Sequence, residues 1–268
     1  MSEKLHIEIT NNGNPIELKA IPVLSYADFS DHLKSLLSDP FNHCVAYYAV
    51  EMEKKLRFFC CVASDTTGRI AVFSHEADKH KLVLPSLTPD IFALHIFERE
   101  IHENHGVEFD WHPWLKPVRY PHDRFNSRSI MDNYPFYSIE SEELHEVGVG
   151  PIHAGIIEPG HFRFICNGEK VLHLEIQLGY QHRGIEKLFL DKNSALQRNI
   201  LSESILGDSA IAHSLAHTGL IESLAGILVS DSLQIERCIA LELERIAIHT
   251  ADIGALCTDV GYNLGANI

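Results

Sequence analysis

Basic residues are scarce in this chain: 22 lysines and arginines stand against 37 aspartates and glutamates, a formal charge of −15 over 268 residues. Phosphate backbones need a basic footprint, so nucleic acid is excluded as a partner. Long apolar runs are missing too, none approaching the eighteen or so residues of a membrane span, and Met1-Ser-Glu-Lys-Leu-His lacks the basic-then-apolar layout of a signal peptide. A cytoplasmic chain able to dock on a membrane partner is expected. The six cysteines, Cys44, Cys60, Cys61, Cys166, Cys238 and Cys257, are scattered and form no Cys-x-x-Cys pair. That argues against a thiolate metal cluster made by this chain alone and against a disulfide framework, and leaves buried structural thiols as the expectation for all six. No Gly-x-Gly-x-x-Gly follows a strand, so any nicotinamide would be bound by a partner. Internal repeats and low-complexity tracts are absent.

Histidine is abundant, at 18 residues, and its most informative cluster lies between Gly150 and Leu188. Gly150-Pro-Ile-His-Ala-Gly-Ile-Ile-Glu-Pro-Gly-His161 and Gly179-Tyr-Gln-His-Arg-Gly-Ile-Glu-Lys-Leu188 set His153, Glu158, His161, His182 and Glu186 among glycines that permit close backbone approach. Each has a structural alternative. His161 could satisfy a backbone carbonyl within its strand, and His182-Arg183 with Glu186-Lys187 could be a salt-bridge cluster at a helix start.

Patterning along the chain predicts an α+β fold in which an N-terminal α/β domain (1–118) and a connector (119–145) precede a small β-sheet with a helical bundle (146–268). Alternation predicts a strand over Leu5–Ile9, and apolar residues at helical spacing after Ser25 predict a helix over Tyr26–Leu37. β-Branched and aromatic runs predict strands over His43–Val50, Leu56–Ala63 and Arg69–Ser74, with Gly68 in the turn between the last two. A helix is expected from Thr88-Pro-Asp to His105, ended by Gly106. It is followed by a loop in which Trp111 and Trp114 act as hydrophobic clamps. Strands over His161–Cys166 and Val171–Gln177 flank Asn167-Gly168-Glu169, and helices over Ala195–Leu206, Ser209–Leu228 and Ser232–Val260 follow. Glu242 with Arg245 reads as an ion pair inside the bundle, with Leu241, Leu243 and Ile246 facing its core.

Two sets of motifs then point to a family. Phe97-Glu-Arg-Glu100, Gly106, Phe109, His112-Pro113 and Leu115 resemble the smaller hydrophilic subunit of complex I and its fused counterpart in energy-converting, membrane-bound nickel-iron hydrogenases. Gly150-Pro-Ile-His through Asp259-Val-Gly, including Glu242-Leu-Glu-Arg-Ile-Ala-Ile-His249, resembles the first half of the large subunit of the same enzymes. The order is that of a fused large subunit, and Ile268 falls in the middle of the large-subunit fold. A truncation is expected there, since a bundle of half the size leaves apolar helix faces uncovered. The charged Glu98-Arg99-Glu100 face would then meet the large-subunit domain.

The resemblance implies an oxidoreductase subunit acting only within a complex. Its partners would be an iron–sulfur small subunit and membrane-arm subunits, and it would lie peripherally at the inner face of the cell membrane, coupling electron transfer to proton or ion translocation. A structural or assembly subunit that has kept the fold and lost catalysis is the alternative. In hydrogenases the metal's first thiolate pair opens a bundle helix, and here that loop reads Glu203-Ser-Ile-Leu-Gly-Asp-Ser209. Leu206 has no donor atom and Ser209 a poor one for a soft metal, so no nickel-iron centre of this chain's own is expected. In complex I the same pocket holds a quinone headgroup. By position His153 matches its histidine and Asp259 its aspartate, a pairing that tunes the imidazole as a proton donor, while the tyrosine's place falls on Ala195. Glu158 resembles the proton-transfer glutamate of hydrogenases, a carboxylate expected to be partly buried with a neutral-range pKa. Leu206, Asp208, Ser209, His213 and His182 would line the pocket. Ser209, His213 and His217 fall on one helix face, but no third convergent metal ligand is identified.

Overall fold

In the computed structural model, residues 5–10, 13–79, 82–119, 136–153 and 158–267 are described. They are α+β and fall into two compact units, the first made of the described residues up to 153 with 158–182 and the second of 183–267. Among the described residues no helix is long and apolar enough to cross a membrane.

The first unit is built on β1 (Ile7–Ile9), β2 (Val23–Leu24), α1 (Tyr26–Leu37), β3 (Asn42–Glu51), β4 (Lys55–Ser64) and β5 (Arg69–Asp78). The sheet order is β1-β5-β4-β3, antiparallel, and β2 adds in parallel to β5 through Val23↔Ser74 and Leu24↔His75. β4 is the apolar run Phe58-Phe-Cys-Cys-Val62 because both of its faces are covered. Phe58, Cys60 and Val62 join Phe29 and Leu33 of α1, Tyr47 and Phe73 in the main core, while Phe59 packs with Ile21 and Val72 on the other side. α1 begins where Ser25 accepts the Asp28 N–H at 3.1 Å, a side-chain cap that satisfies one orphan donor of the first turn. Gly68 supplies φ +65° in the β4–β5 turn.

The next helix is shorter than expected. α2 runs His95–His105, preceded by a 3₁₀ turn at Phe92–Leu94, and ends on Gly106 at φ +66°. Residues 86–88 fold over the helix because Glu98, at zero exposure, draws them in. Its carboxylate accepts the Leu87 N–H at 2.8 Å, the Ser86 hydroxyl at 2.5 Å and the Thr88 hydroxyl at 2.6 Å. Arg99 and Glu103 also turn inward. Arg99 donates to the carbonyls of Lys116 and Pro117 at 2.8 Å, and Glu103 accepts the N–H groups of Val118 and Arg119. The Glu98-Arg99 face is therefore internal scaffolding of its own domain; only Glu100 stays near the surface, paired with Arg119.

Two short strands unseen in the sequence, β6 (Val83–Pro85) and β7 (Glu108–Asp110), pair in parallel beside this helix. In the following loop Trp114 is a clamp, with the Arg99 guanidinium 4.7 Å over its ring. Trp111 is not: it is 87% exposed and holds φ +67°. A three-stranded antiparallel sheet completes the unit, β8 (His145–Val149) beside β9 (His161–Asn167) beside β10 (Lys170–Gln177), with Gly168 at φ +57° in the hairpin. Buried Glu175 of β10 bonds the Lys116 ammonium and the Tyr137 N–H.

The second unit is helical: α3 (Ile185–Asp191), α4 (Ala195–Ser202), a 3₁₀ turn at Gly207–Ser209, α5 (Ala210–Ala225), α6 (Asp231–Asp259) and α7 (Asn263–Ala266). Gly226 closes α5 at φ +67°, and Ser230 caps α6 by accepting the Leu233 N–H. α5 and α6 are joined by the bidentate pair Arg237–Glu222 at 2.7 and 2.8 Å, which holds the Glu222 carboxyl below its ordinary range. Glu242 and Arg245 also pair, at 3.2 Å, but on the surface, since Leu243 and Ile246 beside them are each 61% exposed. The cysteines differ from expectation likewise. Cys60 and Cys166 are buried, Cys44, Cys61 and Cys257 half-buried, and Cys238 on α6 exposed; all are free.

Candidate functional site

Within the first unit, the candidate histidine bonds to the residue just before β9. His153 Nε2 donates to the Gly160 carbonyl at 2.7 Å, and the ring meets Phe162 edge-on at 5.4 Å between centroids. Gly150, at φ +91°, is the third wall. A Cβ there would lie 2.2 Å from the Gly160 oxygen and 2.6 Å from His153 Nε2, so no side chain fits. Glu158, two residues before Gly160, is exposed rather than partly buried. His161 starts β9 with its ring against Gly148 and edge-on to Phe136. His182 is half-buried in the turn after β10, where its N–H meets the Gly179 carbonyl.

Within the second unit, Leu206, Asp208 and Ser209 share the turn between α4 and α5, and His213 lies one helical turn into α5. Leu206, Ser209 and His213 are half-buried and Asp208 is exposed. His217 follows on α5 and meets the Phe189 ring at 5.4 Å. Two residues that the motifs did not assign hold this junction. Arg183 donates to the carbonyls of Ser204 and Ile205, each at 2.7 Å, fixing the approach to the turn. Glu244 of α6 accepts the N–H groups of Ile211 and Ala212 at 2.6 and 3.1 Å, capping α5 with a carboxylate at its positive end. The sequence signal for both was their place inside the Gln-His-Arg-Gly and Glu-Leu-Glu-Arg motifs; the partners are visible only in three dimensions.

Beside this junction opens a cavity of about 340 Å³ lined by Glu203, Ile211, Ser214, Leu215 and Arg237 among others. Leu206 and Ser209 are not among its lining residues. Asp259 is the last residue of α6, roughly 22 Å of helical rise beyond Glu244, and so does not join the Leu206–Ser209 turn. Among the described residues no group of three His, Cys, Asp or Glu side chains could hold a metal ion. The donor set at the turn, a leucine and a hydroxyl, does not suit the soft thiolate-bound centre of the hydrogenases.

The chain is similar to known proteins over both units. It is 30% identical to formate hydrogenlyase subunit 5 of Escherichia coli over 242 residues, 84% of this chain and 41% of that protein. It is 28% identical to the C/D component of NADH-quinone oxidoreductase from Bacteroides thetaiotaomicron over 269 residues, 86% of this chain and 49% of the relative. Membrane-bound hydrogenase subunit alpha of Pyrococcus furiosus matches at 32% over 118 residues, 44% of this chain and 27% of that protein. The chain thus spans less than half the length of these relatives. Residues 23–136, from β2 through α2 and the Trp114 loop, match the family model of the respiratory-chain NADH dehydrogenase 30 Kd subunit.

Proposed function

We propose that this chain is part of a subunit of a membrane-associated oxidoreductase complex related to energy-converting hydrogenase and NADH:quinone oxidoreductase, and that it lacks a nickel-iron centre of its own. One observation carries the reading: similarity to formate hydrogenlyase subunit 5 spans 84% of the chain, yet the turn where a hydrogenase would keep its first thiolates holds Leu206 and Ser209. The partners are an iron–sulfur small subunit and membrane-arm subunits, with the chain docked at the inner face of the cell membrane. Electron transfer in the complex is coupled to proton or ion translocation. His153, Glu158 and Asp259 are the groups that handle protons, imidazole and carboxyl side chains being the usual general acids and bases. A quinone is the proposed redox partner; when bound it would supply the two-electron chemistry, and the chain would supply proton-exchanging groups.

The test is electron transfer in the assembled complex with His153→Ala and Glu158→Ala. Each is expected to lower turnover roughly a hundredfold, the usual contribution of a positioned acid or base. Unchanged turnover in both would leave the chain a structural subunit.

A further inference from the structure

We infer that His6 and His32 form a pH-sensitive fastener: their shared hydrogen bond ties the N-terminal strand β1 to α1 while at least one ring is neutral, and releases it when both rings carry a charge.

Two imidazoles can share a hydrogen bond only if one brings a proton and the other a lone pair. His6 Nδ1 and His32 Nε2 stand 3.0 Å apart, with the two rings within 15° of parallel. His6 immediately precedes β1, and His32 lies midway along α1. Ile7 and Ile9 of β1 pack on the cluster of Phe59, Ile21 and Val72, so the pleat turns His6 and Glu8 to the opposite face, that of α1. With three residues at the end of its sheet, β1 pairs with β5 through Ile7↔Val72 and Ile9↔Ile70. For so short a strand one further bond is a substantial part of its attachment.

That bond survives a first proton and not a second. One imidazolium donates to the neutral ring, a charge-assisted contact stronger than the neutral one. Two imidazoliums offer donors only, and their charges repel. Partial burial first, and then the facing His6, hold the His32 pKa below the ordinary imidazole range. Detached rings take their protons near the ordinary value of about 6.5, while the attached pair refuses the second; attachment is therefore complete above that pH and lost as pH falls below it. The neighbouring charges are engaged elsewhere: Glu8 of β1 with Arg69 of β5 at 2.9 Å, Asp28 of α1 with the Ser25 hydroxyl, and Lys34 of α1 with Asp90. Asp31 of α1 is exposed, and His75 of β5 keeps a neutral ring down to about 3. What β5 sets against His32 is Phe73, edge-on at 4.9 Å between ring centroids. Release of β1 would uncover the Ile70–Val72 edge of β5, with the apolar Phe59 and Val72 beside it, an open edge of the kind that accepts another strand.

Hydrogen exchange in the full chain tests this, with rates corrected for the intrinsic pH dependence of amide exchange. Protection of residues 7–9 and 70–72 should fall together as pH drops below about 6.5, approaching tenfold per pH unit, the slope of one proton. His32→Gln supplies an amide that can accept from a charged His6 or donate to a neutral one, so protection should persist and the slope vanish. A flat wild-type profile, or a wild-type slope in His32→Gln, overturns the inference. A second readout needs no variant to fold. In ¹⁵N-labelled histidine spectra taken above the imidazole titration, one of the two facing nitrogens should be protonated and the other bare; both protonated or both bare overturns it as well.

Discussion

His75 has zero exposure, stacked on Phe58 at 4.3 Å and met by the edges of Phe29 and Tyr26, and among the described residues neither ring nitrogen has a hydrogen-bond partner. Burial alone pushes its pKa down to about 3. The unfolded chain therefore binds a proton below about 6.5 that the folded chain refuses until about 3. Stability from the neutral ring is complete above the unfolded value and is lost as pH falls through this window, by up to about 1.4 kcal/mol per pH unit. Urea midpoints measured from pH 7 to pH 4 should fall more steeply for the wild type than for His75→Phe; parallel slopes would refute this. Trp111 is the opposite case, a bulky residue at φ +67° whose indole faces water. Left-handed backbone costs a non-glycine residue about 1–2 kcal/mol, and the exposed ring returns little by burial. Trp111→Gly, despite glycine's greater chain entropy when unfolded, is expected to raise stability by roughly 0.5–1 kcal/mol. A lower midpoint would show that the indole packs against something.

At the scale of the elements, the junction between α4 and α5 depends on a long-range cap. Glu244 is one residue among several charges on α6, yet it alone among Glu242, Glu244 and Arg245 meets backbone N–H groups of another helix. Glu244→Ala should cost about 1–2 kcal/mol in chemical denaturation, the range of a lost N-terminal cap with charge. Glu242→Ala, which removes an exposed pair, should stay within about 0.5 kcal/mol. Equal effects would mean that the cap does not form in solution. The same contrast explains what was legible in the pattern. Tyr26–Leu37 was readable to the residue because its cap, Ser25, is local, and β4 and the Arg69–Ser74 part of β5 were readable because burial on both faces writes an apolar run, whereas the continuation of β5 to Asp78 through polar residues was not. The start of α2 was not readable. Thr88-Pro-Asp is a good local opening for a helix, but Glu98 offers three hydrogen bonds that draw residues 86–88 over it instead. Strands of three residues such as β6 and β7 are too short for alternation to register, and pair only because α2 and its loops bring them together.

For the whole molecule, the proposed absence of a metal centre makes a direct prediction. The assembled complex, isolated under reducing conditions, should carry nickel only at background by elemental analysis, and near-stoichiometric nickel would overturn the reading of Leu206 and Ser209. Of the candidate site, the residue identities were available from motifs: the glycines around His153, the missing thiols at 206 and 209, the acidic residues of α6. Their geometry was not, because each depends on a partner far along the chain or on backbone atoms that carry no residue signature. The Gly160 carbonyl that orients His153, the Ser204 and Ile205 carbonyls that hold Arg183, and the Ile211 and Ala212 N–H groups that hold Glu244 would be the same atoms with almost any side chain.

By itself the sequence determined the α+β class, because periodicity acts through additive burial. It also determined that the 206–209 turn cannot present thiolates. Only the tertiary structure decided that Glu98 and Arg99 serve their own domain's loops, that Trp111 faces water and that Glu242 and Arg245 pair on the surface. It also decided which nitrogen of His153 is bound to the backbone. Those outcomes turn on hydrogen bonds and close packing, whose strength depends on distance and direction that residue order does not specify.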